Sequence, residues 1–274
     1  MPMKDAPVEF IDDPADPRLD DYRDLVRSDR RPDRPGGKGL VIAEGVSVVE
    51  RMARSPYPMR SIMGVAERVE AAIASITVPA DVPVYVVEPS TMDAAIGFHL
   101  NRGVLAIADR APMPQFAELV AASRSLLVLE GVNDHENLGG LFRNAAAFGV
   151  DGVVIGPRCS DPLYRRAVRV SMGHVLKVPY VDAPQWPQAL YEIEASGFAM
   201  FALTPYPPAV DLSHVGTDVD RVAVVVGAEG AGLSDAALAA VRRHARIPMA
   251  DGVDSLNVAT AAAIALNHFR RSVT

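Results

Sequence analysis

The fold is decided by residues 125–156, which read SLLVLEGVNDHENLGGLFRNAAAFGVDGVVIG. The first part, SLLVLEGV, is a continuous apolar run with the length of a buried strand, and DGVVIGP, from Asp151, is a second such run. Between them, LGGLFRNAAAFG predicts a short helix that ends at Gly149, with Asn137 as a candidate N-cap. A strand, a helix and another apolar strand in this order predict a parallel sheet that is covered on both faces.

The same alternation continues towards the C-terminus. FAMFALTP, from Phe198, and RVAVVVGAEG, from Arg221, predict two more buried strands, and QALYEIEAS between them predicts a helix. AVRVSMGHV, from Ala167, also has a helical pattern. LSDAALAAVRRHA predicts a helix capped by Ser234, and SLNVATAAAIALNHF, from Ser255, predicts the last helix. The second half of the chain is therefore predicted to be α/β.

The first half alternates shorter elements. GLVIAEG, SIMGVA, VPVYVVEP and GVLAIAD predict strands, while SVVERMARSP and STMDAAIGFHL predict helices. Two prolines in APMPQ, residues 111–115, mark the boundary between the halves. We therefore predict four segments: an acidic flexible extension over 1–20, a small α/β domain over 21–110, a linker over 111–122 and a larger α/β domain over 123–274.

Composition excludes several classes of protein. The 274 residues carry 27 basic and 34 acidic side chains, a formal charge of −7, and about half are apolar, which excludes a disordered chain, collagen and a disulfide scaffold. The single cysteine, Cys159, excludes an internal disulfide and a cysteine-based metal site and predicts a reducing compartment. The sequence has no apolar run of the ~18 residues that span a bilayer, and its N-terminus is acidic rather than signal-like. It therefore predicts a soluble, cytoplasmic protein.

The charges are unevenly distributed. Residues 1–21 hold two basic against seven acidic side chains, whereas residues 158–177 hold five basic side chains against Asp161 alone. A net acidic chain is an unusual nucleic-acid binder, because phosphates are contacted by lysine and arginine. On composition alone, each basic cluster is more typical of a solvated protein surface than of a binding site. The composition therefore permits RNA binding without requiring it.

Two glycine-containing segments carry candidate functional residues. In NLGGLFRNAAAFG, Arg143 projects from a helix of apolar and small residues, which suits phosphate binding, although an arginine reaching a surface partner is the alternative. In VVVGAEGAGLS, from Val224, three glycines after a strand let the backbone approach a ligand closely. Their G-x-x-G-x-G spacing matches neither a dinucleotide fingerprint nor a P-loop. Glu229 among them would repel phosphate but accept hydrogen bonds from a ribose, an amine or an arginine.

A third segment, IPMADGVDSLNV, begins at Ile247. Ser255 is either a functional residue or the cap of the last helix. Asn257 would then lie in the first turn of that helix and face the same candidate site as Ser255. A methionine such as Met249 is more often a core residue than a functional one. Other chemistries find no support, because the sequence has no metal-ligand spacing and no G-x-S-x-G elbow, and we predict no metal.

Taken together, these segments resemble the ordered motifs of the SpoU (TrmH-type) RNA ribose 2′-O-methyltransferases of the SPOUT superfamily. The resemblance is carried by NLGGLFR from Asn137, GAEGAGL from Gly227, IPM from Ile247 and SLNV from Ser255. Residues 40–110 also resemble the RNA-binding module of that family, which is similar to certain ribosomal proteins. The family often has Asp-Pro-Gln before the first asparagine, where this chain has Asp-His-Glu, a difference that puts substrate choice in doubt.

The resemblance implies a deep trefoil knot in residues 123–274, S-adenosylmethionine as the methyl donor and a homodimer. The catalytic residues that it implies are Asn137, Arg143, Glu229, Ser255 and Asn257. The cofactor-binding residues that it implies are Leu203, Thr204, Gly227, Glu229, Gly230, Ile247, Met249, Ser255 and Leu256. Because a guanidinium stays protonated in proteins, we interpret Arg143 as a group that orients and stabilises the nucleophile rather than as a base.

The leading hypothesis is S-adenosylmethionine-dependent methylation of a ribose 2′-hydroxyl in RNA, with ribosomal RNA favoured because the N-terminal module is present. Transfer RNA is the close alternative. A catalytically silent RNA-binding or assembly factor with the same fold and a metabolic enzyme that binds a nucleotide phosphate are the other classes. The arginines that we expect to contact RNA are Arg102, Arg158, Arg165, Arg166 and Arg169.

Overall fold

The computed structural model describes residues 8–23, 25, 29–32 and 37–270. The chain forms two compact units. The first contains the residues up to Pro112 together with Asp161–Lys177, and the second contains Met113–Ser160 and the residues from Val178 onward. A short segment from the second half of the sequence thus completes the first unit.

The first unit contains a five-stranded mixed sheet with helices. Its elements up to Pro112 are β1 (Val8–Ile11), β2 (Val41–Glu44), α1 (Val46–Ala53), β3 (Met59–Gly64), α2 (Ala66–Ile73), β4 (Val84–Val87), α3 (Pro89–Ile96) and β5 (Val104–Ala108). The strands are ordered β1-β4-β3-β5-β2, and β5 runs antiparallel to both of its neighbours. The apolar strands and helices predicted for the first half of the chain are thereby confirmed.

The acidic N-terminal segment belongs to the first unit. β1 pairs in parallel with β4, and the 3-10 helix Pro17–Tyr22 buries Leu19 and Tyr22 completely, with the Tyr22 hydroxyl 2.8 Å from the hydroxyl of Ser61. Ile11, Leu19 and Tyr22 enter the core, whereas Phe10 is exposed and the acidic residues are exposed or half-buried. A few buried apolar side chains therefore fold a segment whose composition suggests disorder. The predicted flexible extension is wrong for residues 8–20, and residues 1–7 lie outside the described residues.

The second unit is built on a parallel sheet. The elements from residue 113 onward are α4 (Phe116–Ala122), β6 (Ser125–Leu129), α5 (His135–Phe148), β7 (Gly152–Ile155), α6 (Arg165–Val170, part of the first unit), β8 (Tyr180–Asp182), α7 (Gln188–Ala195), β9 (Ala199–Leu203), β10 (Val210–Asp211), β11 (Val222–Val226), α8 (Asp235–Ala240), β12 (Arg243–Arg246) and α9 (Val258–His268). The seven strands are ordered β10-β12-β9-β11-β6-β7-β8, and every neighbouring pair is parallel. The predicted α/β class with a parallel sheet is confirmed. Within the described residues, no helix combines the length and apolar character that crossing a membrane requires.

Two boundaries differ from the sequence predictions. The second half of the predicted linker 111–122 is α4, because Leu119 and Val120 form an apolar face that is buried in the core of the second unit. The helix predicted from Leu233 to Ala245 ends at Ala240, and β12 follows it. There Ala245 is buried between neighbouring strands, so the pairing available in the sheet overrides local helix propensity.

Arg221 stabilises the amino-terminal edge of the second unit. Its guanidinium donates hydrogen bonds to the carbonyl oxygens of Val120 (2.5 Å), Ser123 (2.8 Å) and Ser196 (2.6 Å) and lies 4.2 Å from the centroid of the Phe198 ring. These carbonyls lie at the carboxyl ends of α4 and α7, where Ser123 and Ser196 are the C-cap residues. The last carbonyls of an α-helix have no N–H partner within the helix. One cation therefore satisfies the carboxyl ends of two helices.

We expect Arg221→Met to lower the free energy of unfolding by about 2–4 kcal/mol, because several carbonyl groups lose a charged donor. Urea unfolding followed by circular dichroism measures the change. The control is Arg242→Met, which removes an exposed ion pair with Glu194 and should cost about 0–1 kcal/mol. Equal losses in the two variants would show that Arg221 does not stabilise the helix ends.

Candidate active site

The predicted cofactor residues follow neighbouring strands of the parallel sheet. Thr204 comes after β9, Gly227 after β11 and Ile247 after β12, and these three strands are adjacent in the order β12-β9-β11. The backbone N–H of Thr204 donates to the carbonyl of Ala245 at 3.0 Å, which keeps two of these strand ends together. Because the carboxyl ends of parallel strands lie at one edge, this edge is where an open α/β sheet binds ligands.

The segment after β11 is a tight glycine turn. Ala228 and Gly232 exchange backbone hydrogen bonds of 3.1 and 2.9 Å. A Cβ at Gly227 would lie 2.2 Å from the carbonyl carbon of Gly232, and Gly230 adopts a left-handed conformation with φ of 77°. The turn therefore requires glycine at these positions and presents Glu229, which is exposed, at its tip.

Asn257 joins the three segments that the sequence singled out. Its Oδ1 accepts hydrogen bonds from the backbone N–H groups of Ala259 (3.0 Å) and Thr260 (3.2 Å), so Asn257 is the N-cap of α9. Its Nδ2 donates to Oδ1 of Asn137 at 2.6 Å and to Oε1 of Glu229 at 3.1 Å. The cap thus fixes an amide that holds an asparagine and a carboxylate from distant parts of the chain. The remaining acceptor sites of Glu229 suit a donor such as a hydroxyl or an amine.

Two cap predictions are wrong. α5 begins at His135, and its N-cap is Asp134, whose Oδ1 accepts from the N–H groups of Glu136 and Asn137 at 2.9 Å each. Asn137 therefore lies within the helix, and its side chain is free to meet Asn257. The cap of α9 is Asn257 rather than Ser255, which is exposed. Among the described residues, the Ser255 hydroxyl hydrogen-bonds only to the neighbouring Asp254, at 3.4 Å.

Arg143 stands apart from this group of side chains. It is exposed on α5, and within the described part of the chain its guanidinium has no hydrogen bond or ion pair. The adjacent side of α5 packs on α9, where Nδ2 of Asn144 donates to the carbonyl of Ala259 at 2.7 Å and a Cβ at Gly140 would lie 3.1 Å from that of Ala259. Arg143 is therefore presented to solvent by a helix that is itself firmly held.

Leu203 is the last residue of β9, and the remaining predicted cofactor residues, Met249, Ser255 and Leu256, lie in the loop between β12 and α9. Met249 is half-buried, whereas Ser255 and Leu256 are exposed. The structure thus brings together Asn137, Glu229 and Asn257 and leaves Arg143 and Ser255 outside their hydrogen-bonded group.

Glu130, which directly follows β6 and is 1% exposed, was not among the residues predicted from the sequence. Its Oε2 accepts from the backbone N–H of Ser234 at 2.9 Å, and its Oε1 lies 3.4 Å from Nη2 of Arg158. Glu130 thereby fixes the far end of the glycine turn, since Ser234 also caps α8 through Ala237. The available signal was an acidic residue at the end of an otherwise apolar strand, which indicates a buried, paired carboxylate.

The five arginines predicted to contact RNA fall into two groups. Arg158 belongs to the second unit, while the other four belong to the first. Among those four, Arg102, Arg165 and Arg169 converge on one buried carboxylate, and Arg166 is exposed.

Solved structures share this fold. The chain matches an AdoMet-bound rRNA methyltransferase from Sinorhizobium meliloti with a TM-score of 0.82 and 24% identity, over 98% of this chain and 100% of the other. It matches the SpoU methyltransferase AviRb from Streptomyces viridochromogenes, in complex with AdoMet, with a TM-score of 0.76 and 20% identity, over 93% and 97% of the two chains. At these identities the likeness shows that this chain shares the α/β fold of those structures.

Sequence comparison identifies the family. The model of the SpoU rRNA Methylase family matches residues 124–267. An uncharacterised tRNA/rRNA methyltransferase of Mycobacterium tuberculosis is 53% identical over 267 residues, which cover 97% of this chain and 92% of the relative. The chain belongs to the SpoU rRNA Methylase family, and the resemblance seen in its motifs is confirmed.

We expect Asn257→Ala to lower the free energy of unfolding by about 2–3 kcal/mol, because it removes both the helix cap and the two side-chain hydrogen bonds. Asn257→Asp keeps the capping oxygen but loses the N–H donors and places a second carboxylate beside Glu229, so its loss should be smaller, about 1–2 kcal/mol. Chemical denaturation measures both variants.

Ser255→Ala is the matched control for this pair and should change stability by less than about 0.5 kcal/mol. If Asn257→Asp proved as stable as the parent, the bridge from Asn257 to Asn137 and Glu229 would contribute nothing to the fold.

Proposed function

We propose that the protein transfers a methyl group from S-adenosylmethionine to a ribose 2′-hydroxyl of RNA, with ribosomal RNA as the favoured substrate and transfer RNA as the close alternative. Membership of an RNA methyltransferase family supports the reaction class. The observation that carries the proposal to this chain is the Asn257 amide, which holds Asn137 and Glu229 beside the glycine turn. The presence of the N-terminal unit is the reason for favouring ribosomal RNA.

The residues at the carboxyl edge fit S-adenosylmethionine. A turn in which Gly227 has no space for a side chain brings backbone groups to the surface of the site, as a nucleoside ligand requires. Glu229 disfavours a phosphate and accepts hydrogen bonds from hydroxyl or amino groups, and S-adenosylmethionine carries both of these groups and no phosphate. The proposed cofactor contacts are Leu203, Thr204, Gly227, Glu229, Gly230, Ile247, Met249, Ser255 and Leu256. When bound, the cofactor supplies an electrophilic methyl group on a sulfonium.

The chain's own residues position the nucleophile. The 2′-hydroxyl releases its proton to solvent as its oxygen forms the bond to the methyl carbon. Negative charge develops on that oxygen, and Arg143 stabilises this charge and orients the adjoining phosphate. The exposed guanidinium of Arg143 supports this role, because no residue of the described chain accepts a hydrogen bond from its five N–H donors. Asn137, Glu229, Ser255 and Asn257 shape the surrounding site, and the first two are held by the amide of Asn257.

The proposal includes two further features that the family resemblance implies: a trefoil knot in the C-terminal domain and a homodimer. Among the exposed apolar side chains of the second unit, Val253 (50%), Leu256 (38%) and Ile264 (40%) lie on α9 or in the loop that precedes it. A second copy of the chain that covered them would remove apolar surface from water and stabilise the dimer. Sedimentation equilibrium tests this directly, since a monomer at micromolar concentration would contradict it.

We expect the purified protein to transfer labelled methyl groups from S-adenosylmethionine to RNA transcribed in vitro, which carries no modification. Alkaline digestion should then leave the label in alkali-resistant dinucleotides, because a 2′-O-methyl group removes the hydroxyl that attacks the neighbouring phosphate. Separate reactions with ribosomal and transfer RNA identify the substrate class.

The other outcomes separate the alternatives. Label in alkali-sensitive nucleotides would contradict ribose methylation and indicate base methylation. RNA affinity that falls with salt, without cofactor binding, would favour the silent RNA-binding factor. The absence of any RNA affinity would favour a metabolic enzyme that binds a nucleotide.

We expect Arg143→Ala to lower the single-turnover rate of methyl transfer at saturating RNA by about 100-fold or more, because the developing oxyanion loses its charged donor. The affinity for S-adenosylmethionine should be unchanged. Arg124→Ala is the control, since Arg124 is also exposed but precedes β6 at the opposite edge of the sheet. Weaker RNA binding with an intact single-turnover rate would reduce Arg143 to a binding residue.

A further inference from the structure

Three arginines of the first unit surround one buried carboxylate. Glu44 is 5% exposed, and its Oε1 lies 3.9 Å from Nε of Arg102 and 3.8 Å from Nη1 of Arg169, while its Oε2 lies 3.4 Å from Nη1 of Arg165. We call these four side chains the Glu44 cluster. It joins the end of β2, the loop before β5 and the helix α6, which are more than 50 residues apart along the chain.

Local geometry holds the cluster in place. Gly45 follows Glu44 with φ of 92°, and a Cβ there would lie 2.9 Å from Cδ of Arg102, so glycine lets the arginine cross the end of the strand. Arg165 and Arg169 are one turn apart on α6 and therefore lie on the same face. The guanidinium of Arg165 stacks on Phe98, with its central carbon 4.8 Å from the ring centroid.

The first turn of α6 is fixed by a residue distant in sequence. Oδ2 of Asp29 accepts a hydrogen bond of 2.7 Å from the backbone N–H of Arg165, which satisfies one of the free donors at the start of the helix. Asp29 is itself buried, and this burial raises the pKa of its carboxyl group to about 6. Both the helix and the stacked arginine are therefore positioned before any ligand arrives.

The charges of the cluster do not balance. Three guanidinium groups face the Glu44 carboxylate, and the Asp29 carboxylate at the backbone of Arg165 is a second negative charge nearby. The side chains of Arg102 and Arg169 remain 41% and 39% exposed. Other arginines of the same unit are neutralised by carboxylates: Arg60 contacts both Asp21 and Asp109. The Glu44 cluster is thus a preorganised group of excess positive charge, and several of its N–H donors have no acceptor among the described residues, which is the chemistry that binds phosphate.

We propose that the Glu44 cluster binds a backbone phosphate of the RNA substrate, with Arg102 and Arg169 as the contacting residues and Glu44 as a positioning residue. This inference rests on the proposed function, since it assigns part of the same substrate to the first unit. Glu44 acts by holding the guanidinium groups in one arrangement, so that RNA meets donors that are already ordered.

The test measures the affinity of the full-length protein for a fluorescent single-stranded RNA of mixed sequence over a series of salt concentrations. Arg102→Gln and Arg169→Gln should each weaken binding about tenfold and reduce the slope of log K against log salt by about one. The matched control, Arg60→Gln, removes the same charge from the same unit and should leave both quantities unchanged.

Glu44→Gln distinguishes positioning from simple neutralisation. If Glu44 only competed with phosphate, its removal would strengthen RNA binding. Under the proposal it weakens binding about threefold or more, despite the added net positive charge, because the arginines lose their common partner. Thermal unfolding in parallel identifies variants that fail to fold, and Glu44→Asp, which keeps the carboxylate, should restore part of the affinity.

Methyl transfer separates this inference from the proposed function. Arg102→Gln should raise the KM for RNA while kcat stays unchanged, because the cluster contacts no reacting atom. The protein could methylate RNA while Arg102→Gln and Arg169→Gln bind RNA as tightly as the control Arg60→Gln. That result would overturn the phosphate site and leave the proposed reaction standing. Arginine-dependent RNA affinity without any methyl transfer would retain the site and overturn the reaction.

Discussion

The candidate active site depends on one side chain that is committed to a structural task. Asn257 has to accept two backbone N–H groups to begin α9, and this fixes the direction of its own N–H donors. Those donors then determine where Asn137 and Glu229 lie. A helix cap thus connects residues from three distant parts of the sequence, and the accuracy of the site follows from the accuracy with which the cap is formed.

Much of the fold could be predicted from the sequence because continuous apolar runs separated by helices permit few arrangements other than a buried parallel sheet. The errors occurred where tertiary contacts override local signals. RRHA, residues 242–245, has the sequence of a helix end, yet Arg243–Arg246 is a strand because its backbone pairs in parallel with β9. The acidic residues 8–20 read as disordered, yet Leu19 and Tyr22 bury enough apolar surface to fold them.

The site residues were predictable by type and order, while their partners were not. Asn137 and Ser255 both read as helix caps, but Asp134 and Asn257 take those positions, and only coordinates show which oxygen meets the free N–H groups. Glu44 and Glu130 were not predicted because each stands between an apolar stretch and a glycine, Glu44 as the last residue of β2 and Glu130 directly after β6. The arginines that accompany them come from later in the chain, and sequence spacing carries no information about such pairs.

The contribution of Asp161–Lys177 to the first unit also affects how the chain is made. The ribosome must synthesise the whole of residues 113–160 before the last piece of the first unit emerges. Until then, Glu44 is without two of its three arginines and Asp29 has no helix end to bind. The N-terminal half therefore cannot finish folding as an independent early domain, and its final assembly is tied to the appearance of the first strands of the next one.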